Sequence, residues 1–180
     1  MINMREYQLG RFAGLDLSVM PSAFVGTLIL WIGLGALALT LLHISWTAAV
    51  VMGFIATLLH WFAETLHQLG HAASARRTGY PMKGIRYWGT LSSSLYPPDE
   101  PVLAGPIHIR RALGGPTSSF LVALLSGLFF SVLGALSASD WVRLLVLFFL
   151  IDNLLVFGLG ALLPLGFTDG STLLRWWGKS

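Results

Sequence analysis

The 180-residue chain contains no cysteine. That excludes disulfides, iron–sulfur clusters and thiolate-bound zinc, so any zinc here must be held by imidazole and carboxylate. Charge is scarce too: Asp, Glu, Lys and Arg make up 11% of the residues, against about a quarter in a soluble domain. Hydrophobic residues reach 55%, and the mean hydropathy of +0.74 excludes an ordinary water-soluble fold. The formal charge of +3 is too small and too scattered for a nucleic-acid surface. The first twenty residues lack the basic-then-apolar order of a cleavable signal peptide. With no repeat and no low-complexity linker, residues 1–180 read as one membrane-embedded domain.

What the chain has in abundance is long apolar runs. Four of them approach or exceed the roughly 20 residues a helix needs to cross a bilayer: about 22–42, 47–75, 117–138 and 141–165. The predicted fold class is an all-α polytopic membrane protein. Small residues are frequent in the runs, as close helix packing in lipid prefers. Orientation follows from Lys and Arg. Arg5 and Arg11 precede the first run. Arg76, Arg77, Lys83, Arg86, Arg110 and Arg111 lie between the second and third, and Arg175 and Lys179 follow the fourth. Four spans put these ten on one side and Arg143 alone on the other, which predicts cytoplasmic termini and a cytoplasmic long loop in a cell membrane.

The second run holds the chemistry, in the stretch "ETLHQLGH". At about 100° per residue, His60, Glu64, His67 and His71 fall within an arc of roughly 60°, with Gln68 about 40° beyond Glu64. Ionisable groups are costly in lipid, so such a row should face a bundle interior or a wet cavity. His67 and His71, four apart, can place two imidazole nitrogens on one Zn²⁺. Among the carboxylates, Asp169 is the best third ligand. It follows "LLPLGFTDG", where Pro164, Gly166 and Gly170 interrupt the helix, and broken backbone at membrane depth is tolerated where it lines a cavity.

These motifs resemble the site-2 protease family of intramembrane zinc metalloproteases. "LHQLGHAASARRTGYPMKGI" is similar to the family's His-Glu-x-x-His helix end and the extended segment after it. "RALGGPTSSFLVALLSG" resembles its Gly-Pro opening of the next span, and "LLPLGFTDGSTLLRWW" its Pro-rich turn with Asp-Gly. The lead-in "LGRFAGLDLSVMPSAF" is similar as well. By position, the resemblance implies zinc ligands His67, His71 and Asp169. It implies a membrane-associated β-hairpin at about 82–97, where Gly89, Thr90 and Leu91 would meet an unwound substrate strand. It further implies hydrolysis within the transmembrane segments of single-span proteins.

Three departures stand against the family pattern. Gln68 replaces the glutamate, Ala161 stands where Asn is common, and a glycine pair in the extended segment is reduced to Gly89. In the implied mechanism the metal polarises the scissile carbonyl and activates water, while the glutamate carries the proton and is not a ligand. An amide is no base at neutral pH, so metal binding should survive and turnover should fall. Glu64, one turn earlier, is expected either to substitute as proton carrier or to accept a hydrogen bond from a ligand imidazole. His60 is expected to pack or hydrogen-bond. The alternative function is a pseudoprotease that binds membrane segments without cutting. A small metal transporter or channel would need matching polar positions on another span, and the first and third offer almost none.

Overall fold

The computed structural model describes residues 6–179, so Arg5 of the amino-terminal basic group lies outside the described residues. Among the described residues, four helices are long and apolar enough to cross a membrane. They are α1 (Pro21–Leu42), α2 (Trp46–Arg77), α3 (Gly105–Ala135) and a rod, Asp140–Leu162, that begins as α4 (Asp140–Ile151). A short helix, α5 (Asp169–Trp176), follows the chain break. α2 packs on both α1 and α3, and α3 packs on α4, so consecutive spans are neighbours.

The rod changes winding along its length. Beyond Ile151 it is π-helical over Asp152–Leu159 and closes in a 3₁₀ turn over Gly160–Leu162. Its buried residues come in adjacent pairs five apart, Asp152 with Asn153 and Phe157 with Gly158. That spacing is the wide i→i+5 turn, which often marks functional sites.

Close backbone approaches replace a greasy core between the spans. A Cβ on Gly70 would lie 2.4 Å from the Gly114 carbonyl oxygen, and one on Gly53 would lie 2.6 Å from the Gly35 nitrogen. Glycine at these positions lets α2 sit tightly against α3 and α1.

The third helix starts at Gly105 and not at 117, because Gly114-Gly115-Pro116 does not break it. Pro116 removes the N–H that would bond the Ala112 carbonyl. Just before it, two α3 carbonyls turn to α2 side chains: Arg110 O accepts from Ser74 Oγ at 2.6 Å, and Arg111 O accepts from His71 Nδ1 at 2.8 Å. Arg110 and Arg111, expected in a loop, therefore lie in the first turns of α3.

The expected hairpin forms from β3 (Gly84–Trp88) and β4 (Leu91–Leu95). It belongs to a larger sheet, because the lead-in is itself a hairpin of β1 (Tyr7–Phe12) and β2 (Leu15–Val19). The order is β1-β2-β3-β4, antiparallel within each hairpin and parallel between β2 and β3. Ala13 and Gly14 both take positive φ, as a type I′ turn demands. The sheet packs through Leu15, Ile85 and Met82 onto Ala72 and Ala75 near the end of α2. β1 and β4 are the two edge strands, and β4 lies against the polar face of α2.

Candidate functional site

His67 and His71 share the buried face of α2, and their Nε2 atoms lie 3.0 Å apart. Asp169, the first residue of α5, brings Oδ2 to 3.3 Å from each of them. Thr168 precedes the helix, so the Asp169 carboxylate is free to reach across to α2. The break before it is locked locally: Thr168 Oγ1 donates to the Leu163 carbonyl, and Ser171 Oγ accepts from Gly166 N at 2.6 Å. Gly170 is required there, since a Cβ would fall 2.0 Å from the Leu162 carbonyl oxygen.

The donor set fits a zinc ion. A carbonyl can only accept, so His71 Nδ1 carries its proton to Arg111 O and Nε2 presents a lone pair. His67 Nδ1 meets Ser119 Oγ at 3.0 Å, which can fix the same tautomer. Three donor atoms at 3.0 to 3.3 Å match the edge of a tetrahedron with bonds of about 2.0–2.1 Å, which is roughly 3.3 Å. Lone pairs converging this closely need a cation or a proton between them. α3 leaves the space: a Cβ on Gly115 would lie 2.3 Å from His71 Nε2 and 2.4 Å from His67 Nε2. Among the described residues, His67, His71 and Asp169 are the group able to hold a metal ion.

Gln68 is buried beside His67 and His71 and lines the same cavity. Its Oε1 accepts from Ser94 Oγ at 2.7 Å. The group it can still offer is therefore an N–H₂ donor, where a glutamate would offer an acceptor. Glu64 accepts from Ser92 Oγ. The His67 and His71 imidazoles thus lean on Ser119 and the Arg111 carbonyl, and Glu64 is held by the strand. His60 bonds Asp152 and the Thr90 carbonyl.

These contacts form a ladder. Thr90, Ser92 and Ser94 of the hairpin meet His60, Glu64 and Gln68 of α2 in the same order. Two strand residues advance about 6.6 Å and four helix residues about 6 Å, so strand and helix stay in step. Gly89 and Thr90 are taken up by the turn itself. Gly89 has φ +52 and its N–H donates to Ser22 Oγ of α1 at 3.2 Å. Leu91 lines the cavity together with Ser92, Ser93 and Ser94.

The cavity measures about 590 Å³ and mixes apolar walls from Val156, Phe157 and Leu165 with the serines of β4. Ala161 lines it as well. At one side Arg111 is buried, donates to Glu100 at 2.9 Å and stacks 4.1 Å over the Tyr96 ring. Hydrogen bonding from Arg111 holds the Glu100 carboxyl below its ordinary range, and burial pushes the Tyr96 hydroxyl up to about 12. Tyr96 is therefore a neutral donor at physiological pH.

Sequence reasoning missed Ser119, Gly115, the Arg111 carbonyl and the Asp152 partner of His60. Each acts from another helix, so no periodicity within α2 could reveal it. The mid-membrane position of Asp152 was the one available signal.

No protein-family model and no curated protein matches the chain. Among solved structures it is similar to the site-2 protease from Methanocaldococcus jannaschii, with a TM-score of 0.61 and 18% identity over 95% of this chain and 70% of that one. At that identity the likeness is one of fold: four spans, a small sheet and a mostly helical body.

Proposed function

We propose that the chain is an intramembrane zinc metalloprotease of site-2 type, with hydrolysis held low by Gln68. The observation that carries this reading is the triangle of His67 Nε2, His71 Nε2 and Asp169 Oδ2, with sides of 3.0, 3.3 and 3.3 Å, beside a free sheet edge. Zinc, when bound there, would polarise a scissile carbonyl and activate water.

The chain's own residues do the rest. Ser119 and the Arg111 carbonyl orient the imidazoles, and α3 keeps the site narrow through Gly115. The outer edge of β4 accepts an extended segment as an added strand, because a peptide bond inside a helix hides its carbonyl. The apolar walls suit the side chains of a membrane span. Gln68 orients water by donating but takes no proton from it. The substrate class is the transmembrane segment of single-span proteins. The protein resides in the cell membrane, with its termini and the sheet on the cytoplasmic side.

A second reading, binding without cleavage, draws on the same residue. Gln68 is hydrogen-bonded and buried, and it leaves both the metal triangle and β4 intact. A pore is disfavoured, since His60, Glu64, Gln68, His67 and His71 each meet a partner from a neighbouring element.

Metal analysis tests the site. The purified protein should carry zinc, and His67→Ala and Asp169→Ala should each lose most of it. A full equivalent of zinc in both variants would sink the reading.

A further inference from the structure

We infer that His60 and Asp152 form a buried clamp that sets where β4 stands beside the metal centre. The inference rests on the proposed use of β4 as the strand that receives substrate. His60 lies mid-way along α2 and is 6% exposed, and Asp152 is 5% exposed. His60 Nδ1 stands 3.1 and 3.3 Å from the two Asp152 carboxylate oxygens, and its Nε2 stands 2.9 Å from the Thr90 carbonyl oxygen.

The protons can be assigned. Thr90 O only accepts, so Nε2 carries a hydrogen. Nδ1 then either donates to the Asp152 carboxylate or accepts from the protonated carboxyl. In both cases the pair is neutral in sum and the same atoms are held together, which is how such groups are tolerated at membrane depth. One imidazole thereby joins three elements: α2, the β3–β4 turn and the π-helical stretch that Asp152 opens. The wide winding there turns Asp152 and Asn153 inward together.

The clamp acts on the metal centre through the ladder. α1 bounds the turn on its other side, since a Cβ on Gly26 would lie 1.8 Å from the Gly89 carbonyl oxygen. Strand and helix rise in step, so fixing Thr90 at His60 fixes Ser94 at Gln68, beside the ligands. His60 is thus a positioning residue, seven positions before His67 in sequence, that sets the height of the receiving strand.

Hydrogen exchange of the protein in lipid nanodiscs tests this without any cleavage. His60→Phe keeps a ring against Phe157, whose centroid is 5.0 Å away, but removes both polar contacts. It should raise exchange of the Trp88–Leu95 amides about tenfold or more, with zinc content unchanged. Asp152→Asn should leave that exchange within about twofold, since its amide can donate to Nδ1 while Nε2 still donates to Thr90. If His60→Phe does not fold, His60→Gln reaches one partner at a time and should give a smaller rise. Unaltered exchange in the His60 variant overturns the clamp. So does a rise in Asp152→Asn equal to that in His60→Phe, because charge and not contact would then be what matters. A second arm works in the Gln68→Glu protein with a synthetic single-span Leu/Ala peptide carrying a central Asn–Gly pair. His60→Phe should raise KM about tenfold with a smaller change in kcat, and an unchanged KM overturns the positioning role. If no form cleaves, the exchange result alone decides the clamp, and the hydrolytic reading is what has failed.

Discussion

An added methyl at Gly115 would fall within 2.4 Å of the Nε2 atoms of both His67 and His71. Alanine is a better helix former than glycine by about 1 kcal/mol, so Gly115→Ala should keep α3 helical while displacing the imidazoles. The expected outcome is unchanged helicity by circular dichroism and a large loss of bound zinc. Full zinc in the variant would show that the imidazoles can shift without losing the site. Gln68 makes the opposite case, a change in chemistry with little change in shape. Ser94 donates to its Oε1 and would donate equally to a carboxylate, so Gln68→Glu fits without rearrangement. General acid–base help is typically worth about 10²–10⁴ in rate. Gln68→Glu should therefore raise cleavage of a transmembrane substrate by roughly two orders or more, with zinc content and substrate capture little changed. Equal rates in the two forms would place the proton carrier elsewhere, with Glu64, held by Ser92 in the same cavity, the first suspect.

Elements of this chain differ in how plainly the sequence announces them. The polar face of α2 was legible, because one helix repeats at about 100° per residue and His60, Glu64, His67 and His71 recur in that rhythm. The β3–β4 hairpin was expected only through the family resemblance of the segment at about 82–97. The β1–β2 hairpin was not expected, since its turn, Ala13-Gly14, carries no Asn-Gly signature and β1 buries no face. α3 was read twelve residues short, because Gly-Gly-Pro usually ends a helix and here serves close packing and the His71 contact. The π winding was invisible, because its buried residues recur at five and not near 3.6. The tightest element contact gives a prediction. The Gly26–Gly89 approach leaves no room for a side chain, and overpacking of this kind costs about 1–3 kcal/mol. Gly26→Ala should lower the thermal midpoint by several degrees in detergent and loosen the hairpin turn, as read by proteolysis or hydrogen exchange. An unaltered midpoint would mean that the turn yields freely and is not held between α1 and α2.

Across the whole molecule, basic residues gather at one end of the bundle, while exposed tryptophans mark both ends. Consecutive spans are neighbours joined end to end, so the α1–α2 and α3–α4 connections lie together, opposite the sheet. Trp46 and Trp141, 71% and 44% exposed, open α2 and α4 at those connections, while Trp177, 76% exposed, marks the other end. Tryptophan favours the headgroup level, so these residues fit two interfaces of one bilayer. Among the described residues, Arg11, Arg76, Arg77, Lys83, Arg86, Arg110, Arg111, Arg175 and Lys179 belong to the sheet end, and Arg143 belongs to the far end beside Asp140. That asymmetry predicts a cytoplasmic sheet and metal centre. The absence of native cysteine makes the test clean. Ser139→Cys is well suited, because Ser139 is exposed and its side chain makes no capping bond to α4. A membrane-impermeant maleimide added to intact cells should label it, and should label Asp99→Cys, exposed on the sheet side, only after the membrane is opened. The reverse pattern would turn the molecule over, and substrates would then have to present their unwound segment from outside the cell.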